Sequence, residues 1–232
     1  MTLLEIQLTI QQIFQLLGKP LEMSLEQYNN YLRMAQDELF KEFAHGYMSG
    51  NGAEVDMRVR SAINPFVHED NIAGTSGTLY GITASQFQHS ASVFEILDMY
   101  LVNATLDFPN TTTKVDLLSN NEVGDRLQNA ITYPSTQYPI AVWDQVTLRI
   151  LVLPYIPNAG GIRLKCLYRP TTPVLVETIT NSVRTQDASS VALQLDAMFH
   201  TDVIRKILQY LGVSIGNEFI ATVAQQQQNL EK

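Results

Sequence analysis

Residues 25–48 read LEQYNNYLRMAQDELFKEFAHGYM and carry the most regular pattern in the chain. Apolar side chains recur every three or four residues for about six turns, which is the spacing of one face of an α-helix. Ser24 precedes them and can cap the first turn. The pattern predicts a helix over 25–48 with one apolar face that must pack against other elements. The residues on that face are Leu25, Tyr28, Leu32, Ala35, Leu39, Phe43 and Tyr47.

Further helical patterns lie towards both ends of the chain. Residues 1–17 carry isoleucines at helical spacing and stop at Gly18 and Pro20, and the apolar pattern of 203–211 stops at Gly212. Another short helix is expected from Asn217, and the glutamines at 225–228 lack an apolar anchor and are expected to fray. We expect the terminal helices to pack together, with each buried Leu or Ile contributing about 1.5 to 3 kcal/mol.

The middle of the chain is predicted to be a β region. From residue 93 the side chains divide into a mixed face and an apolar face, the latter with Leu97, Met99 and Leu101, as a strand requires. Three strand-like runs follow at 138–142, 145–153 and 161–168. A short helix is expected at 122–131, after Asn120 and Asn121 as a cap. Short loops favour antiparallel neighbours.

The predicted fold class is therefore α+β, in which terminal helices form a helical bundle and an antiparallel β region is inserted between them. We assign 1–48 plus 191–232 to the bundle and 66–176 to the β region. We expect 49–65 and 177–190 to be connectors or exposed arms, since 177–190 is polar and poor in aromatic residues.

Composition narrows the class of protein. The chain has 232 residues, 45% of them hydrophobic, which is enough for one sizeable domain or two small ones. Its net charge is -8 and its basic residues are scattered, so the concentrated basic footprint of a nucleic-acid-binding protein is absent.

Cys166 is the single cysteine, so no internal disulfide can form. Apolar stretches are too short to span a membrane and no basic leader precedes them, so we expect a soluble, unprocessed intracellular chain.

No motif in the sequence specifies catalysis, a cofactor or a metal. The run 74–78, GTSGT, lacks the lysine of a phosphate loop and the second glycine of a nucleophile elbow, and Gly50 with Gly52 does not complete a dinucleotide-binding pattern. The four histidines, His45, His68, His89 and His200, do not have metal-ligand spacing.

The remaining polar groups have simpler interpretations. His68, Glu69 and Asp70 are expected in an exposed loop, and Cys166 in an apolar strand as a small core residue. The carboxylates Asp37, Glu38 and Glu42 lie near Lys41 on one helix and are expected to form local charge pairs. A Cys–His pair that meets only in three dimensions stays open.

From Asn120 onward the sequence resembles the ring proteins that stack below the portal in crAss-like and related short-tailed bacteriophages. NEVGDRLQNAI at 121–131 resembles that family's short helix, and YPSTQYP at 133–139 resembles its proline-bounded loop. A strand ending in Leu153 and Pro154 then leads to LYRP at 167–170, which resembles its closing strand. Residues 193–211, followed by GVSI at 212–215, resemble its C-terminal helix pair. One departure is at 195–198, LDAM, where the family carries a tryptophan.

The resemblance implies a virion structural protein of the neck or tail, assembled in the host cytoplasm. Such a subunit would form a homo-oligomer, a twelve-fold ring, between the portal and other tail ring proteins, and would join capsid to tail. Genome DNA would pass through the lumen without specific binding, which the acidic balance favours. The family implies no catalytic, cofactor-binding or metal residues and no membrane partner. The alternatives are a receptor- or carbohydrate-binding tail module and a small hydrolase.

Overall fold

The computed structural model describes residues 1–18, 21–50, 56–73, 82–83, 93–103, 112–135, 137–144, 149–153, 159–180, 183–213 and 223. The fold is α+β, as predicted. The chain divides into two compact units: unit 1 comprises 1–64 and 170–232, and unit 2 comprises 65–169. No described helix is both long and apolar enough to cross a membrane.

The described residues form five α-helices and nine β-strands. The helices are α1 (Leu3–Leu16), α2 (Leu25–Ser49), α3 (Met57–Ile63), α4 (Asn120–Gln128) and α5 (His200–Tyr210). The strands are β1 (Val67–Ala73), β2 (Ile82–Thr83), β3 (Val93–Asn103), β4 (Thr112–Leu118), β5 (Ile140–Asp144), β6 (Arg149–Leu153), β7 (Ala159–Tyr168), β8 (Glu177–Thr180) and β9 (Val183–Gln186). Two 3₁₀ turns lie at Asn64–Phe66 and Ala197–Phe199.

Helix α2 confirms the prediction for 25–48 and begins at a capping box. The Ser24 hydroxyl accepts a hydrogen bond from the Gln27 amide, and the Gln27 side chain accepts one from the Ser24 amide. The two reciprocal bonds satisfy donors that a helix start leaves open. Most of the predicted apolar face is buried, and Phe40 and Gln36 join it.

The terminal helices meet in unit 1. Helix α5 contacts both α1 and α2 and buries Val203, Ile204, Ile207 and Leu208. The hydroxyl of Tyr28 on α2 donates a hydrogen bond of 2.8 Å to the Leu3 carbonyl at the start of α1. Burial raises the pKa of this Tyr28 hydroxyl, which therefore remains a donor. Helices distant in sequence thus share one core.

Two side-chain amides on α2 hold the returning chain at 171–175. The Asn29 side chain donates to the Leu175 carbonyl at 3.0 Å and accepts from the Leu175 amide at 2.9 Å. One α-helical heptad further on, Gln36 donates to the Thr171 carbonyl at 2.8 Å and accepts from the Gln194 amide at 3.1 Å. Because these amides pair with backbone groups, they fix the position of the segment along α2, and Leu175 is buried in the core as well.

Among the described residues of unit 2, seven strands form one sheet in the order β1-β7-β3-β4-β5-β6-β2. Its apolar core is built from alternate residues of these strands, including Met99, Leu101, Ile150, Ile162 and Leu164. Strands β5 and β6 are antiparallel neighbours, as predicted from their short connection. Strand β7 is not beside β6 but lies between β1 and β3.

The prediction of a wholly antiparallel β region is wrong at one pair. Strands β4 and β5 are parallel, with Asp116 opposite Ile140. The reason is α4, which lies in the connection between them and carries the chain back to the end at which β4 started. Ser119, not Asn120 or Asn121, caps α4, and the helix ends at Gln128 rather than at 131.

The predicted connectors contain regular structure. Helix α3 lies within 49–65, and β8 and β9 form an antiparallel hairpin within 177–190. The predicted β region, 66–176, extends beyond unit 2, because 170–176 belongs to unit 1. The helix expected from Asn217 and the glutamines at 225–228 lie outside the described residues, apart from Val223.

We predict that Gln36→Leu lowers the free energy of unfolding by about 1 to 3 kcal/mol, since the Thr171 carbonyl and the Gln194 amide lose their partner. Urea unfolding followed by circular dichroism measures the change. Gln15→Leu on the exposed side of α1 is the matched control and should change stability much less. Equal effects of the two substitutions would contradict the role given to Gln36.

Candidate interaction surfaces

Cys166, His68 and Asp70 come together across β1 and β7. His68 lies opposite Cys166 in the antiparallel register, and the Tyr168 hydroxyl donates a hydrogen bond to the Asp70 carboxylate. The His68 and Tyr168 rings are 5.5 Å apart between centroids. The loop expected at 68–70 is wrong, because the backbone of this segment pairs with β7 as a strand. His68 and Glu69 are exposed, as expected, whereas Asp70 is buried.

The chemistry of this group favours a structural role. The Cys166 side chain is 0% exposed, and burial, assisted by the Asp70 charge, raises the pKa of its thiol to about 12. Burial and the bond to Asp70 raise the pKa of Tyr168 as well. Both groups are protonated at neutral pH, so Cys166 is not the thiolate that nucleophilic catalysis requires. The Tyr168–Asp70 bond satisfies a buried carboxylate.

The other sequence candidates are scattered. His45 is exposed on α2, and His200 is buried at the start of α5. His89 and the run 74–78 lie outside the described residues. Among the side chains that the structure describes, no three His, Cys, Asp or Glu residues are placed to hold a metal ion.

The carboxylates of α2 form a polar seam with α5. Lys41 pairs with Asp37 at 2.6 Å, which confirms the local pairing expected on this helix. Glu38 instead accepts from Lys206 at 2.7 Å and from the Tyr210 hydroxyl, and these hydrogen bonds lower the pKa of Glu38. Helical spacing on α2 alone could not identify partners on α5.

A second ionic group was not anticipated from the sequence. Asp202 on α5 is buried and accepts from the guanidinium of Arg58 on α3, while Arg205 lies 3.5 Å away. The Arg58 guanidinium also lies over the Phe199 ring, 5.6 Å from its centroid. These contacts fix the short helix α3 against α5, so we assign them to stability rather than to a binding site.

The first exposed surface is the hairpin arm, residues 174–191. Its base is held by backbone bonds between Val174 and Val191 and by Gln186, whose side-chain oxygen accepts from the Leu3 and Leu4 amides at 3.1 and 3.4 Å. Its outer half, β8 and β9, is largely exposed. Ile179 and Val183 are 65% and 60% exposed there. The arm is thus anchored at one end and unsupported by described residues at the other.

The second exposed surface is the α4 surface, which comprises the described residues of 120–138. Ile131 is 94% exposed and Tyr138 is 74% exposed, and Leu127 and Tyr133 are also exposed. Single exposed apolar residues are common, but here four lie within twelve positions, which makes this region a candidate interaction surface. Beside them lies a groove of about 260 Å³, lined by Leu118, Glu122, Asp125, Arg126, Asn129 and Thr132.

Comparison with known proteins does not assign this chain to a family. No family model matches the sequence, and no curated protein matches it at a significant level. The two surfaces are therefore defined by geometry and exposure alone.

We predict that native Cys166 reacts extremely slowly with a thiol reagent such as DTNB. With a pKa of about 12, only about one thiol in ten thousand is ionised at pH 8, and burial blocks access as well. The thiol should react within minutes once urea unfolds the chain. An Arg33→Cys variant, with its new thiol on the exposed side of α2, provides the reactive control. Rapid labelling of the native wild-type chain would show that Cys166 is accessible.

We predict that His200 makes unit 1 less stable in mild acid. Burial and the nearby Met1 amine lower its pKa below the ordinary 6.5, against smaller opposing effects of the Leu195 backbone, Asp196 and Glu5. The unfolded chain therefore binds the proton more readily, so stability is fully present above pH 6.5 and falls as the pH drops through the folded-state pKa.

Urea unfolding between pH 5 and 8 tests this expectation. The His200→Gln variant should show a flatter dependence of unfolding free energy on pH than the wild-type chain. His45→Gln, at an exposed position on α2, should keep the wild-type slope. A wild-type slope in His200→Gln would assign the acid sensitivity to other groups.

Proposed function

We propose that this protein is a virion structural subunit that forms a ring in the portal-to-tail neck of a tailed bacteriophage. The observation that carries the proposal is the presence of two different exposed apolar surfaces, the hairpin arm and the α4 surface, on one chain. A contact between unlike surfaces of identical subunits repeats from copy to copy, and it closes into a ring when the rotation allows. One surface that pairs with itself would stop at a dimer.

The resemblance to phage ring proteins supports the same function. Two of the segments that carry it, 121–131 and 133–139, coincide with the α4 surface, which is the most exposed apolar part of the described chain. In this function the subunit is part of a homo-oligomer, a twelve-fold ring, with the portal and other tail ring proteins as partners. It is located in the virion and assembled in the host cytoplasm.

The charge of the chain suits a channel subunit. A net charge of -8 repels the phosphates of DNA, so genome DNA would move through the lumen without being held. No cofactor, metal or membrane is part of this function. Joining capsid to tail requires stable contacts above and below the ring, and a chain in which only 16% of the residues are charged is compatible with them.

The exposed tyrosines favour one alternative, a receptor- or carbohydrate-binding tail module. Tyr133 and Tyr138 are both exposed, and aromatic rings are suited to packing against sugar faces. A hydrolase has less support, because Cys166, the one thiol in the chain, is buried and protonated.

Electron microscopy of the purified chain, alone and with the portal protein encoded by the same genome, tests the proposal. We expect closed rings that stack coaxially on the portal. A chain that stays monomeric at micromolar concentration and does not join the portal would contradict the proposed function. Binding to a glycan array by such a monomer, lost in a Tyr133→Ala/Tyr138→Ala variant, would establish the alternative.

A further inference from the structure

We infer that the hairpin arm of one copy docks on the α4 surface of the next copy, with Arg184 entering the groove beside Glu122 and Asp125. This inference rests on the proposed function, because it assigns the contact that would close the ring. Both surfaces belong to the same chain, so the arm of each copy can meet the α4 surface of the next copy.

The arm has the properties of a segment completed by a partner. A two-stranded hairpin gains little stability in water unless a further strand or a packed face supports it. In this arm, Gln186 ties the base to α1, whereas Ile179 and Val183 expose more than half of their surface. Ile179 lies directly opposite Arg184 in the hairpin register and therefore on the same face, whereas Val183 lies on the other face. Apolar contacts of the Arg184 face with another subunit would bury Ile179 and would order the outer half of the hairpin.

Charge complementarity selects the α4 surface as the opposite side of the contact. Arg184 presents its half-exposed guanidinium on the arm and forms a long ion pair with the Glu177 carboxylate at 3.9 Å, a separation that is too large for a hydrogen bond. On the α4 surface, Glu122 and Asp125 are exposed acids that line one groove. Hydrogen bonds from the backbone and hydroxyl of Ser119 lower the pKa of Glu122, so this carboxylate is charged and fixed in position by the cap.

The size of the groove fits a side chain better than a small ligand. Its volume of about 260 Å³ is below the roughly 300 to 1,000 Å³ that is typical of small-molecule pockets. An arginine that enters can form paired hydrogen bonds with carboxylates. Arg126 also lines the groove, but its guanidinium lies 3.6 Å from Asp116. Ile131 and Tyr133, on either side of Thr132, would then meet Ile179, the exposed apolar side chain on the Arg184 face of the arm.

Crosslinking between two single variants tests the contact directly. Arg184→Cys and Asp125→Cys chains are purified separately, mixed so that subunits exchange, and treated with a short bismaleimide. We expect a crosslinked dimer that contains one copy of each variant, identified by mass spectrometry. The control mixture pairs Asp125→Cys with Arg33→Cys, which places the second thiol on the exposed side of α2. Cys166 is buried, so the introduced thiols are the ones that react.

Charge reversal provides the energetic test, with sedimentation velocity as the measurement. Arg184→Glu and Asp125→Arg should each weaken self-association by about tenfold or more, because like charges then face each other across the contact. The chain that carries both substitutions should recover association, since every contact regains an opposite pair. Arg33→Glu makes the same charge change elsewhere and should associate like the wild type. Asp125 is chosen instead of Glu122 because Glu122 belongs to the cap of α4.

The outcomes separate this inference from the proposed function. Rings that form normally in both single charge reversals, together with crosslinking no greater than in the control mixture, would overturn the arm-to-groove contact and leave the ring function standing. A wild-type chain that remains monomeric with and without the portal would overturn both. Crosslinking above the control, with association restored only in the double reversal, would establish the contact.

Discussion

The pairing of α2 with backbone groups of the returning chain is the constraint on which unit 1 depends. Unit 1 is built from two segments that unit 2 separates in sequence, so folding must close a long loop before the terminal helices can pack. Asn29 and Gln36 make that closure specific, because each amide both donates to and accepts from the chain that returns. A purely apolar contact would favour closure without fixing the register of 171–175 along the helix.

The sequence predicted the elements with strong periodicity and missed contacts between distant elements. Helix α2 has an apolar stripe and a capping serine, both local signals, and its bounds differ from the prediction by one residue. The parallel pairing of β4 with β5 depends on how the chain leaves α4, which alternation along a strand does not specify. The strand at 67–73 was missed because it contains His, Glu and Asp, which are uncommon in strands, and β7 determines its conformation.

The candidate surfaces were only partly predictable, because exposure and anchoring depend on contacts between residues that are distant in sequence. Polarity over 177–190 indicated an exposed arm, but the anchoring of Gln186 to the start of α1 joins residues almost a whole chain apart. Exposure of Ile131 could not be read from sequence, since an isoleucine after a helix is usually expected inside. Conversely, nothing in the sequence marked Asp202 as buried, and Asp70 was expected to be exposed. Both are buried, each with a partner on another element.

The proposed contact between two unlike surfaces would allow open-ended growth unless its angle is fixed, and the anchoring of the arm would help to fix that angle. Head-to-tail contacts close into a ring only if each copy is rotated by a constant angle relative to the last. An arm that swung freely would allow many angles and therefore filaments or aggregates. Because hydrogen bonds to α1 and between Val174 and Val191 hold its base, β8 and β9 are held in a defined direction relative to α1. Thr178, Thr180, Thr185 and Arg184 are the polar residues beside Ile179 and Val183, and they would keep the arm hydrated in a free subunit.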